Sequence, residues 1–218
     1  MEQKSILTKT QKQFLEFVSQ NKFARESFTW TGGTVLAEFY LKHRRSHDID
    51  LFSQEEINVS AVNAFLKKLS VDRTEYQNYL GLHTYFLTFK KEKKLKVDFS
   101  YYPFPPLEKG GTYLGIRYDS LTDLIVNKIQ TIGTKPRSRD FFDIYYYAQE
   151  YQFELADFIK KARLKFDWYI DPLAFGSKLT LAKDISDRPL LIKPFDEKKY
   201  QQFYLELIDE IRTKTIKR

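Results

Sequence analysis

The run Asp48-Ile49-Asp50-Leu51-Phe52 constrains this chain more than any other five residues. On a strand, successive side chains leave opposite faces, so Asp48 and Asp50 share one face, roughly 6–7 Å apart, and Ile49 and Leu51 share the other. Such a strand needs cover on its apolar face and a cation on its acidic one, because adjacent like charges repel and unpaired burial is costly. Fifteen or so residues upstream, "TWTGGT" places Gly32 and Gly33 where a strand hands over to a helix. Two missing side chains there let backbone N–H groups and the positive helix end approach an anion, and Thr34 adds a hydroxyl at the same corner.

Hydrophobic periodicity orders the rest. Leu7, Phe14, Leu15, Phe17 and Val18 predict an opening helix over residues 7–20, and "SFTWTG" a short strand. Helical spacing resumes over residues 34–43 through Val35, Leu36, Phe39 and Tyr40, the acidic strand follows, and residues 58–70 predict another amphipathic helix. From Val71 the period becomes two. "VDRTEYQNY", "LHTYFLTFK" and "KLKVDFSYY" predict three strands, turning near Gly81 and in the charged run "KKEKK". "PFPPLEKGG", residues 103–111, can continue neither sheet nor helix and marks a boundary between an α/β half, residues 1–102, and a helical half, residues 103–218. Beyond it lie "SLTDLIVNKIQTIG", with a looser capping box from Ser120 to Asp123, "SRDFFDIYYYAQE", residues 154–166 and a helical tail from Lys198 to Arg212. The expected class is α+β: a mixed sheet with flanking helices, followed by a helical bundle.

Composition narrows the chemistry. The absence of cysteine among 218 residues excludes disulfides, thiolate metal sites and a Cys nucleophile, and three histidines (His43, His47, His83) make a His-rich zinc site a poor expectation. Any metal should be held by oxygen, which points to Mg²⁺ or Mn²⁺. A net charge of +7 favours polyanionic partners such as nucleic acid or nucleotides. With neither a signal-peptide pattern nor a run of about 20 apolar residues, a cytoplasmic protein without a membrane span is expected.

The pieces meet in one expected site. Asp98 of "KLKVDFS" leaves its strand opposite Leu95, Val97 and Phe99, giving a third carboxylate beside Asp48 and Asp50. Three carboxylates and a phosphate cradle make a divalent-metal site for phosphoryl or nucleotidyl transfer. One ion would bridge Asp48 and Asp50 to the triphosphate of an NTP. A second, also held by Asp98, would acidify an attacking hydroxyl, with Asp98 as general base or base-assisting ligand.

Taken together, Gly32-Gly33-Thr34, His43-Arg44, Ser46, Asp48, Asp50 and Phe52 resemble the signature of AbiEii/AbiGii-type nucleotidyltransferases, within the polymerase-β-like superfamily. "VDFS" at Asp98 resembles the family's third acidic strand. "LTDLIVNKIQTIGTKPRSRDFFDIYYYA" resembles its downstream element, with Lys128, Arg139, Asp140 and Asp143 at matching positions. The likeness spans roughly residues 25–150. It implies a nucleotidyltransferase-like first half carrying the metal site and a helical half completing the nucleotide cleft. It further implies that Gly32, Gly33 and Thr34, with Ser46 nearby, bind triphosphate, that Asp48, Asp50 and Asp98 bind metal, that Lys128 contacts phosphate, and that Asp143 is needed for activity. Members are often toxins of toxin–antitoxin pairs, and some add nucleotides to the 3′ end of tRNA. An NTP, an RNA or tRNA acceptor (or a protein) and an antitoxin are therefore the implied partners.

Plainer readings stand beside these. Asp98 could pair with Lys96 on an exposed strand face, Lys128 could reach solvent past its apolar neighbours, and Arg139 with Asp143 could form a surface ion pair worth a few tenths of a kcal/mol. Ser46 could hold a turn, and Tyr145-Tyr146-Tyr147 could be helix packing rather than a base-stacking platform. The same metal chemistry would also serve a small-molecule nucleotidyltransferase of the antibiotic-modifying type, or survive in a catalytically silent nucleotide- or RNA-binding module.

Overall fold

The protein is described by a computed structural model over residues 4–90, 93–184 and 187–216. It divides into two compact units, one from residues up to 40 together with 46–121, the other from 41–45 together with 122 onward.

The first unit is a seven-stranded mixed sheet with helices. Its strands are β1 (Thr29–Thr31), β2 (Ile49–Ser53), β3 (Arg73–Tyr79), β4 (Leu82–Phe89), β5 (Lys93–Tyr101), β6 (Gly111–Tyr113) and β7 (Ile116–Tyr118), in the order β3-β4-β5-β2-β1-β7-β6. β3, β4 and β5 form the antiparallel meander expected from their alternation. The "KKEKK" turn between β4 and β5 includes Lys91 and Glu92, which lie outside the described residues. β5 then pairs in parallel with β2, which puts Asp50 beside Asp98 in register, and β2 runs antiparallel to β1, which puts Asp50 beside Thr31. Ile49, Leu51, Val97 and Phe99 are fully buried on the faces opposite those aspartates. Each contributes about 1.5–3 kcal/mol by leaving water.

Helix α1 (Lys9–Ser19) opens with a capping box in which Thr8 and Gln11 satisfy each other's backbone N–H groups. It buries Phe14, Leu15 and Val18, and its Phe17 ring stacks at 4.6 Å on Phe65 of α4 (Val59–Leu66). The six-residue α2 (Lys22–Ser27) was not foreshadowed by periodicity. α3 (Gly32–Val35) leads into a π-helical turn, Leu36–Leu41. β6 and β7 follow the Pro-rich stretch and extend the sheet on the β1 side, where β7 pairs in parallel with β1.

The second unit carries the helical bundle: α5 (Leu121–Thr134), α6 (Ser138–Glu150), α7 (Leu155–Phe166), α8 (Pro172–Leu179), a 3-10 turn and α9 (Glu197–Ile216). α6 is central to its packing. Phe142 stacks on Tyr200 of α9 at 4.9 Å, Phe141 meets Tyr204 edge-on at 5.5 Å, and Tyr147 meets Phe158 of α7 at 5.5 Å. Tyr145, Tyr146 and Tyr147 are all buried, so this run packs the bundle. Among the described residues no helix is long and apolar enough to cross a membrane.

Candidate active site

In the first unit, β1 ends at Thr31 and Gly32 turns the chain with φ +80. A Cβ on Gly32 would fall 2.0 Å from Asp50 Oδ2, so the carboxylate lies directly against the glycine, and only glycine admits both the approach and the backbone angle. Thr34 is buried, and its hydroxyl donates to the Asp48 carbonyl at 2.5 Å, tying α3 to the chain just before β2. That proton is used within the unit. Ser46, two residues before Asp48, accepts a bond on its carbonyl from Gln11 Nε2 at 3.0 Å.

The acidic face holds a cation, and the plainer pairing of Asp98 with Lys96 is formed. Lys96 Nζ lies 2.5 Å from Asp98 Oδ2 and 3.8 Å from Asp48 Oδ2. Lys96 is two residues before Asp98 on β5 and so shares its face. The other oxygen of Asp98, Oδ1, accepts from Thr84 Oγ1 at 2.6 Å, from the register-paired position on β4. Asp98 is buried, while Asp48 and Asp50 are half-buried. Among the described residues no group of three or more acidic or histidine side chains is gathered closely enough to hold a metal ion together. The residues nevertheless suit a hard cation: two carboxylates share one positive charge, and a third neighbours Asp98 in the sheet.

The second unit holds a separate buried network. Asp143 on α6 accepts from His43 Nε2 at 2.7 Å and from Arg44 Nε at 2.6 Å on Oδ1, and from Arg44 Nη2 at 2.9 Å on Oδ2. Lys128 Nζ on α5 is 2.9 Å from Asp143 Oδ2 and 2.6 Å from Asp140 Oδ1, and Arg137 Nε completes the set at 2.9 Å from Asp140 Oδ2. Asp140 and Asp143 are wholly buried, and Lys128 is only 5% exposed. Burial by itself raises a carboxyl pKa, but Arg44 and Lys128 overcome it and hold Asp143 well below its ordinary value. Lys128 and Arg137 likewise lower Asp140. Burial pushes His43 down, against the raising effect of Asp143, so the ring is neutral. Its Nε2 faces Asp143, and its buried Nδ1 has no hydrogen-bond partner among the described residues.

These distances place Gly32, Thr34, Ser46, Asp48, Asp50 and Asp98 in the first unit and Lys128, Asp140 and Asp143 in the second. Lys128 does not reach solvent but faces two carboxylates. Asp143 pairs with Arg44 rather than with Arg139, which is exposed. Lys96, Thr84 and Arg137 complete the two clusters; Lys96 carried a signal through its i, i+2 relation to Asp98 and Arg137 through its i, i+3 relation to Asp140, and Thr84 carried none.

JHP933 from Helicobacter pylori shares the fold with a TM-score of 0.61 at 20% identity, over 97% of this chain and 95% of that one. A second H. pylori structure, described as a candidate nucleotidyltransferase, gives 0.60 at 20% identity over 97% and 98%. At that identity the likeness is one of fold. A comparison with curated proteins returned no match. The fold is that of nucleotidyltransferases. The family model described as nucleotidyl transferase AbiEii toxin, of a type IV toxin–antitoxin system, matches residues 16–217, and the chain belongs to that family. The match runs past residue 150, so α7 to α9 are part of the family's pattern as well.

Proposed function

We propose that the protein moves a nucleoside monophosphate from an NTP to a hydroxyl on RNA, with the 3′ end of tRNA as the favoured acceptor, and that it is the toxin of a toxin–antitoxin pair. The observation that carries the reading is the cation between Asp48 and Asp98 on a face where Asp50 is Asp98's register partner. Family membership supports nucleotidyl transfer, and the +7 charge supports a polyanionic acceptor over a cationic small molecule.

Asp48, Asp50 and Asp98 would hold Mg²⁺ or Mn²⁺, which when bound supplies charge neutralisation at the phosphates and a more acidic acceptor hydroxyl. Gly32 makes room for the Asp50 carboxylate at the turn, and Thr34 and Gln11 hold the chain beside it through Asp48 and Ser46. Asp98, aligned by Thr84, takes the hydroxyl proton as the acceptor oxygen bonds to the α-phosphorus and pyrophosphate leaves. Asp143 holds Lys128 together with His43 and Arg44, and its complete burial supports this holding role over direct contact.

Purified protein given each labelled NTP with Mg²⁺ and total RNA is expected to label a tRNA-sized band. Asp48→Ala and Asp50→Ala should each lower transfer by about 10³-fold or more while leaving the melting curve near wild type. Undiminished transfer in both variants would remove the carboxylates from the chemistry.

A further inference from the structure

We propose that Lys96 is a built-in counter-cation of the acidic face, occupying a position between Asp48 and Asp98 that a divalent ion takes in exchange for it. The inference rests on the metal reading above and adds a residue to it.

The geometry separates the two oxygens of Asp98. Oδ1 is taken by Thr84 at 2.6 Å, a neutral donor on the neighbouring strand, and Oδ2 by the Lys96 ammonium at 2.5 Å. Thr84 therefore keeps the carboxylate aimed when the ammonium leaves, and Oδ2 is the oxygen that a new cation meets. Asp48 lies 3.8 Å from the same ammonium, close enough to feel its charge and too far for a hydrogen bond. One monovalent charge thus serves two carboxylates, and Asp50 lies alongside Asp98 in register.

Lys96 is also built to leave. Its side chain is 32% exposed, and its long flexible stem can swing the ammonium into water without opening a cavity. A lysine buried as Lys165 is, against Asp123, has no such exit. The ammonium holds the carboxylates apart from one another's repulsion before an ion arrives, and its displacement costs part of the ion's affinity. Selectivity follows, because a monovalent ion offers no charge advantage over the ammonium it must replace and a divalent ion does.

The test is Mn²⁺ binding to the full chain, followed by calorimetry and by loss of the free-ion electron paramagnetic resonance signal, in wild type, Lys96→Met and Lys96→Arg. Lys96→Met is expected to bind Mn²⁺ roughly tenfold tighter, with a correspondingly larger Mn²⁺-induced rise in melting temperature, and to melt lower than wild type without metal. Lys96→Arg keeps the charge and should bind within about threefold of wild type. Unchanged or weaker binding by Lys96→Met, while wild type binds, overturns the exchange and leaves the metal site standing. No Mn²⁺ binding by any of the three overturns both.

Discussion

Gly32 is the residue whose replacement tests the site most directly without touching a charge. Its φ of +80 places it in the left-handed region, and the space a methyl group would need is filled by Asp50 Oδ2. Gly32→Ala is expected to cost about 1–3 kcal/mol from backbone strain alone, and to displace the Asp50 carboxylate as well. A urea melt measures the first effect and Mn²⁺ affinity the second. A variant with wild-type stability and wild-type ion binding would show that the corner tolerates a side chain. The same residue shows what local sequence reveals. The GG pair announced a tight turn and the D-x-D alternation announced a shared face, yet the contact between Gly32 and Asp50 depends on β1 and β2 pairing across 18 positions. No spacing rule reports it.

At the level of elements, α6 carries the clearest contrast. Helical periodicity outlined "SRDFFDIYYYAQE" closely, and the observed helix is Ser138–Glu150. What periodicity left hidden is that Asp140 and Asp143 lie on the buried side, because their partners Arg44 and Lys128 come from other segments and one of them is 99 residues away. Losing one partner of a buried ionic network leaves the others desolvated and unpaired. Asp143→Asn is therefore expected to cost about 3–5 kcal/mol, whereas Arg139→Ala, at the exposed second residue of α6, should stay within about 0.5 kcal/mol. Chemical denaturation of the two variants side by side checks this; equal costs would mean that the network contributes nothing. The short elements were the least legible. β6 and β7 have three residues each, too few for a period to register, and they sit beside glycines and prolines that argue against a sheet. α8 did carry a start signal, Asp171 capping Ala174 N ahead of Pro172, but its eight residues are flanked by loop on one side and a 3-10 turn on the other.

For the whole molecule, the buried titratable groups set how stability depends on pH. His43 is held neutral by burial, below its ordinary value of 6.5, so the unfolded chain binds that proton first and stability falls as pH drops below about 6.5. Asp140 and Asp143 are held below 3.8, so the stability they add is complete above that value and is lost as pH falls through it toward their folded values. Unfolding free energy measured from pH 8 to pH 3 should be flat at first, decline below about 6.5 with a slope of up to about 1.4 kcal/mol per pH unit, and steepen below about 4. His43→Gln should lose the first decline and keep the second. A first decline that persists in that variant would place the titrating group elsewhere. Finally, residues 41–45 belong with the helices although the chain on both sides of them belongs with the sheet. The polypeptide therefore changes unit three times, and the two parts cannot be inherited, deleted or exchanged as separate cassettes. A chain stopped after Leu121 would keep the guanidinium of Arg44 and discard the carboxylate that lets it live away from water.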